Sequence, residues 1–146
     1  MSEYFYTIQR ANAIRSQVDA LGLDTPDGFW RLSLPQLQKW CNGAGPERWS
    51  EIKRKALTIA LSRYEAAFFV HDVCYELMAD RAEADKILYR NMLIIFRRDF
   101  GMFWWLKKTG WAERIGIIPV VYGLVALGGD EAHAEAQKEE YANDNV

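Results

Sequence analysis

Two cysteines in 146 residues are too few for a disulfide scaffold, which points to a reducing compartment and leaves packing to hold the core. A chain of this length buries roughly 68–70% of its unfolded surface, enough to do so without staples. Long apolar runs are also missing. The strongest, Ile115 to Leu127, is interrupted by Gly116, Pro119 and Gly123 and falls short of the roughly 20 residues that a bilayer-spanning helix requires. Met1 to Gly22 has no basic stretch followed by an apolar one, so no secretory signal is expected and synthesis is expected in the cytoplasm. The sequence has no internal repeat, no phosphate-binding glycine loop with a lysine, no zinc-type cysteine cluster and no nucleophilic serine motif. Those absences narrow the enzyme classes open to it.

What is present fits a single globular domain: half of the residues are hydrophobic and about a quarter charged. The net charge of -2 conceals an uneven distribution. From Asp130 onward Asp130, Glu131, Glu135, Glu139, Glu140 and Asp144 stand against Lys138, a net -5, so the preceding residues carry about +3. We expect a domain over residues 1–129 and an acidic, mobile tail over 130–146, with His133 solvated in it.

The apolar spacing is helical nearly throughout, and the expected fold class is all-α. Ala11, Ile14, Val18 and Leu21, with Phe5 or Tyr6 before them, form one stripe that Gly22 ends. Asp24 to Gly28 is a turn, and Ser33-Leu34-Pro35-Gln36 reads as the cap and first turn of a short helix reaching Trp40 or Cys41. Residues 56–61 are ambiguous between helix and strand. Two long helices follow, at about 63–79 and 81–97, opened by the cap-like boxes Ser62-Arg63-Tyr64-Glu65 and Asp80-Arg81-Ala82-Glu83. The short turn between them makes them antiparallel. Ile115 to Leu127 is expected to be a buried helix that begins near Pro119 and ends at Gly128-Gly129.

The segment Phe68-Phe69-Val70-His71-Asp72-Val73-Cys74-Tyr75 puts two adjacent ionisable groups into an apolar run. At about 100° per residue His71 and Tyr75 share a face while Asp72 points to one side. On the next helix Asp85 lies in the stripe of Leu88 and Met92, so it can face His71 and Tyr75. Each feature has a plainer reading: an incidental His-Asp pair, core packing by Cys74 and Tyr75, and a first-turn acid favoured by the helix dipole. Asn42-Gly43 and Gly45-Pro46 are also ordinary turn dipeptides.

Taken together, His71-Asp72-x-Cys74-Tyr75, the aspartate early in the next helix and the upstream Cys41-Asn42-Gly43-Ala44-Gly45-Pro46 resemble the phospholipase A2 superfamily. The resemblance runs from about Trp40 to Arg97. It implies His71 as a general base toward water, Asp85 as its orienting partner and Tyr75 as a hydroxyl on that aspartate. It also implies a calcium cofactor held by Asp72 and by the loop through Gly43, Gly45 and Glu47. The sequence departs from the family where secreted members carry a disulfide, since those positions are Phe68 and Ala44, and Cys74 meets Ala84 where its partner would stand. Cys41 and Cys74 are either paired or free. A relative of this kind would be a bacterial or phage product that reaches lipid through a virion, an injection device or lysis. The rival reading is a non-catalytic phage structural or membrane-associated protein on the same scaffold.

Arg97, Arg98, Lys107, Lys108 and Arg114 surround Met102, Phe103, Trp104, Trp105 and Trp111, opposed by Asp99 and Glu113. Cations among indoles suit a phospholipid membrane surface, with Trp104, Trp105, Trp111, Arg97, Arg98, Lys107 and Lys108 as contact candidates. They suit equally a core with a charged rim. No nucleic-acid reading motif accompanies them, and no specific nucleic acid is expected.

Overall fold

The computed structural model describes residues 4–42 and 61–126, and the described part is all-α without a strand. The Gly43 to Glu47 loop, the ambiguous stretch before Leu61 and the expected tail lie outside the described residues.

The first helix, α1 (Ile8–Leu21), begins where the Thr7 hydroxyl accepts the Arg10 amide and ends at Gly22, which turns left-handed at φ 61°. Its Ala11, Ile14 and Val18 face the core, as their spacing predicts. A 3₁₀ turn over Phe29–Arg31 drives Phe29 into the interior. The helix α2 (Leu34–Trp40) carries the expected capping box between Ser33 and Gln36, with proline in its first turn. Gln38 ties it to the entry of α1 by donating to the Tyr6 carbonyl.

The two long helices are α3 (Glu65–Leu77) and α4 (Arg81–Phe100). Arg63 meets Asp99 near one end of the pair and His71 meets Asp85 nearer the other, so chain position rises along one helix as it falls along its neighbour. The helices are therefore antiparallel. Asp80 caps α4 by accepting the Glu83 amide, the cap expected from sequence. The matching expectation at Ser62 is not met. Residues Ser62–Tyr64 form a 3₁₀ turn, no side chain caps α3, and its start is set by burial of Leu61 and Tyr64. Packing outweighs a cap of about 1 kcal/mol.

The core gathers α1, α2 and the α3–α4 pair around Phe29, Tyr64, Phe69, Leu88, Met92 and Phe96. Asn91 is its polar pin. From full burial its carbonyl accepts the Asp24 amide (2.8 Å), and its amide donates to the Asp24 carbonyl (2.9 Å).

The last described segment departs most from the sequence expectation. Helix α5 starts at Lys108 (Lys108–Trp111), widens into a π-helical stretch over Ala112–Ile117 and continues as ordinary helix over 118–126. Pro119 thus lies inside a helix rather than at its start. Its ring would crowd the carbonyl four residues back and it offers no amide; the wider turns just before it supply the adjustment. The segment is also only half buried. Ile118 and Val121 pack inward, whereas Trp111, Ile115, Ile117, Val120 and Leu124 face out.

Candidate active site

Helix α3 is apolar on almost every side, and all its residues from Ala66 to His71 are buried. The exception in character is His71, whose ring rests against that of Tyr75 one turn on, with centroids 4.2 Å apart. Both point at α4. The His71 Nε2 atom lies 2.8 Å from Asp85 Oδ1, and the Tyr75 hydroxyl donates to the same oxygen at 2.9 Å. An ionised carboxylate only accepts, so Nε2 carries the hydrogen, and the ring in its neutral form has its lone pair at Nδ1. No described residue makes a hydrogen bond to Nδ1. The imidazole is nonetheless largely enclosed, with His71 only 5% exposed.

Burial opposes charge on Asp85, but the hydrogen bond and charge of His71, the Tyr75 hydroxyl and the Arg81 guanidinium outweigh it and hold the carboxyl below its ordinary value. Arg81 stands 3.5 Å from the second oxygen, Oδ2. The Tyr75 hydroxyl moves the other way: burial first, and then the Asp85 charge and hydrogen bond, keep its proton in place. The group is therefore a fixed carboxylate that orients one imidazole, with two donors on Oδ1 and the Arg81 guanidinium ion-paired with Oδ2.

Asp72 is half-buried and turned from this trio, as the 100° step predicts. Its Oδ2 accepts the Asn42 amide at 3.0 Å, which ties the chain just beyond α2 to the side of α3. Gly43, Gly45 and Glu47 lie outside the described residues. Among the described residues no cluster of three or more histidine, cysteine or acidic side chains gathers to hold a metal. The chemistry of the expected donors, one carboxylate with backbone carbonyls, is that of a calcium site, and Asp72 lies against Asn42, the last described residue before them.

The thiols of Cys41 and Cys74 are free and buried. Cys41 lies 3.5 Å from the Phe69 carbonyl, and its thiol is pushed well up by burial and then by the Asp72 charge. Burial pushes the Cys74 thiol up to about 12. Neither thiol is primed for nucleophilic chemistry.

Of the residues singled out from sequence, His71, Asp85 and Tyr75 are brought together, and Asp72 accepts from Asn42. The tryptophans divide: Trp104 packs partly buried against Phe96, whereas Trp105 and Trp111 are exposed and linked by the Trp111 indole donating to the Trp105 carbonyl. Arg97, Arg98, Lys107 and Lys108 are all exposed. Sequence reasoning missed Arg81, although its placement four residues before Asp85 was a readable signal. It offered Phe5 or Tyr6 for the α1 stripe but not the place of the buried Tyr6 within the field of Glu65, Asp72 and Cys41. No family model, curated protein or solved structure matches the chain.

Proposed function

We propose that the protein hydrolyses carboxylic ester bonds of glycerophospholipids with the help of calcium. The observation that carries this reading is the buried relay Tyr75–Asp85–His71, which fixes an imidazole with Nε2 hydrogen-bonded and its lone pair at Nδ1. A water at Nδ1 would give its proton to the ring as its oxygen attacks the ester carbonyl. The imidazolium formed is stabilised by the Asp85 carboxylate, and its Nδ1 proton then passes to the departing alcohol oxygen as the carbon–oxygen bond breaks. Tyr75 and Arg81 hold Asp85 ionised and in place throughout. Calcium, held by Asp72 with the carbonyls of Gly43 and Gly45 and by Glu47, would supply Lewis-acid polarisation of the carbonyl. The resemblance to phospholipase A2 proteins across Trp40 to Arg97 supports both the substrate class and the metal.

The near-complete enclosure of His71 favours a second reading, in which the trio is a satisfied polar network in the core of a non-catalytic protein. Release of fatty acid from mixed phospholipid vesicles separates the two. Wild type should release fatty acid in calcium and not in chelator. The His71→Gln variant retains a donor toward Asp85 but no base, so its rate should fall roughly 10²–10⁴-fold with the helical spectrum unchanged. Absence of release by the folded wild type in millimolar calcium would leave the second reading standing.

A further inference from the structure

The surface built by residues 97–124 has two properties that rarely coincide by packing alone. The first is apolar exposure. Met102 and Leu106 are 77% and 75% exposed, Val120 and Leu124 each 60%, and Phe103, Trp105, Trp111, Ile115 and Ile117 join them. From Ile117 onward the outward positions 117, 120 and 124 are as apolar as the inward positions 118, 121 and 125. A helix apolar on both faces is normally enclosed; this one has the core on one side and no described residue covering the other. So much exposed apolar surface on one segment marks an interaction site.

The second property is charge. Arg97, Lys107 and Lys108 project from the same segment, and Arg114 stands half-exposed on α5. The two acids in the segment are engaged within the fold. Asp99 accepts from Arg63 (2.8 Å) and Arg98 (2.7 Å), and Glu113 pairs with Arg63 (3.3 Å) and takes the Tyr64 hydroxyl. What faces outward is therefore aliphatic, aromatic and cationic.

We propose that this face docks the protein, lying flat, in the headgroup layer of an anionic phospholipid bilayer. No described helix is long and apolar enough to cross a membrane, so the helix lies along the surface. Exposed indoles and lysines within seven residues of one another, Trp105, Lys107, Lys108 and Trp111, match the polar–apolar boundary of a bilayer. Five exposed aliphatic side chains argue against nucleic acid, which would be met by stacking rings and cations instead. None of these side chains belongs to the His71–Asp85–Tyr75 group, and the test does not depend on hydrolysis.

The full chain is mixed, in chelator, with vesicles of phosphatidylcholine alone or with an equal share of phosphatidylglycerol, and binding is read by co-sedimentation and tryptophan emission. Docking predicts binding to the anionic vesicles, weakened by salt, with emission shifted to the blue. A lysine near an anionic surface contributes roughly fivefold, so the double variant Lys107→Glu, Lys108→Glu should lose roughly 25-fold or more. The pair Val120→Asn, Leu124→Asn should weaken binding, and Trp105→Phe with Trp111→Phe should abolish most of the shift; all three variants change exposed side chains. Unchanged binding by the charge and apolar variants would overturn the proposal. So would salt-insensitive binding to pure phosphatidylcholine, or a concentration-dependent dimer that hides the same face. Hydrolysis of a soluble short-chain ester is assayed separately, so failure of docking and failure of catalysis are distinguishable.

Discussion

Asp85 is where burial, charge and chemistry meet. Its two oxygens receive His71, Tyr75 and Arg81, and its carboxyl is held below the ordinary value although burial pushes it up. A depressed folded-state value means that the stability this group contributes is fully present above the unfolded value of about 3.9 and is lost as pH falls through the folded one. Asp85→Asn cannot titrate there. Urea unfolding across pH should therefore show the gap between wild type and variant narrowing below about pH 4, and a gap constant with pH would contradict the depressed value. In the ester assay the same variant should lose roughly 10²–10⁴-fold, because an amide can no longer hold the imidazole in one tautomer. At this scale the sequence was readable where one helical turn links residues, as with His71 and Tyr75. Arg81 stands one helical turn before Asp85, so the same spacing brings its guanidinium to that carboxylate.

Elements show where local rules suffice and where they yield. Asp80 and Ser33 cap their helices as written, since a side chain three residues from an amide needs no distant partner. Asp80→Ala should cost about 1 kcal/mol, measured as a lowered urea midpoint at unchanged slope. Ser62 fails to cap because Leu61 and Tyr64 are drawn inward by residues far away in sequence. In α5 the critical position is Gly110, where an added Cβ would lie 2.4 Å from the Trp104 carbonyl oxygen. Backbone has to move to admit it, so Gly110→Ala should displace the 3₁₀ turn Trp104–Leu106 against α5. The near-ultraviolet circular dichroism of the tryptophans is the readout, and an unaltered spectrum would contradict the close approach.

For the whole molecule the question is how the C-terminal segment is held. Trp104 and the inward side chains Ile118 and Val121 join it to the core. Arg63 adds a polar clamp, reaching Asp99 on α4 and Glu113 in α5 while its guanidinium lies over the Phe100 ring at 4.8 Å. Asp99 is held low by Arg98 and Arg63 against the opposing effect of burial. Arg63→Met keeps the stem and removes the charge. Amide hydrogen exchange should then quicken over 108–126 while α3 and α4 keep their protection; uniform exchange through the chain would show that the clamp holds nothing in particular.

The sequence by itself determined the all-α class, the two long helices, the stop of α1, the caps of α2 and α4, and the face shared by His71 and Tyr75. These follow from spacing and from hydrogen bonds within one turn, which neighbouring residues settle among themselves. Tertiary structure decided that Nε2, rather than Nδ1, meets Asp85, that Arg81 joins them, and that Trp104 turns inward while Trp105 stays out. It also decided that α5 begins before Pro119 and leaves one apolar face uncovered by the described residues. Each of those outcomes depends on which distant side chains fill the space first, and spacing along a chain carries no record of that.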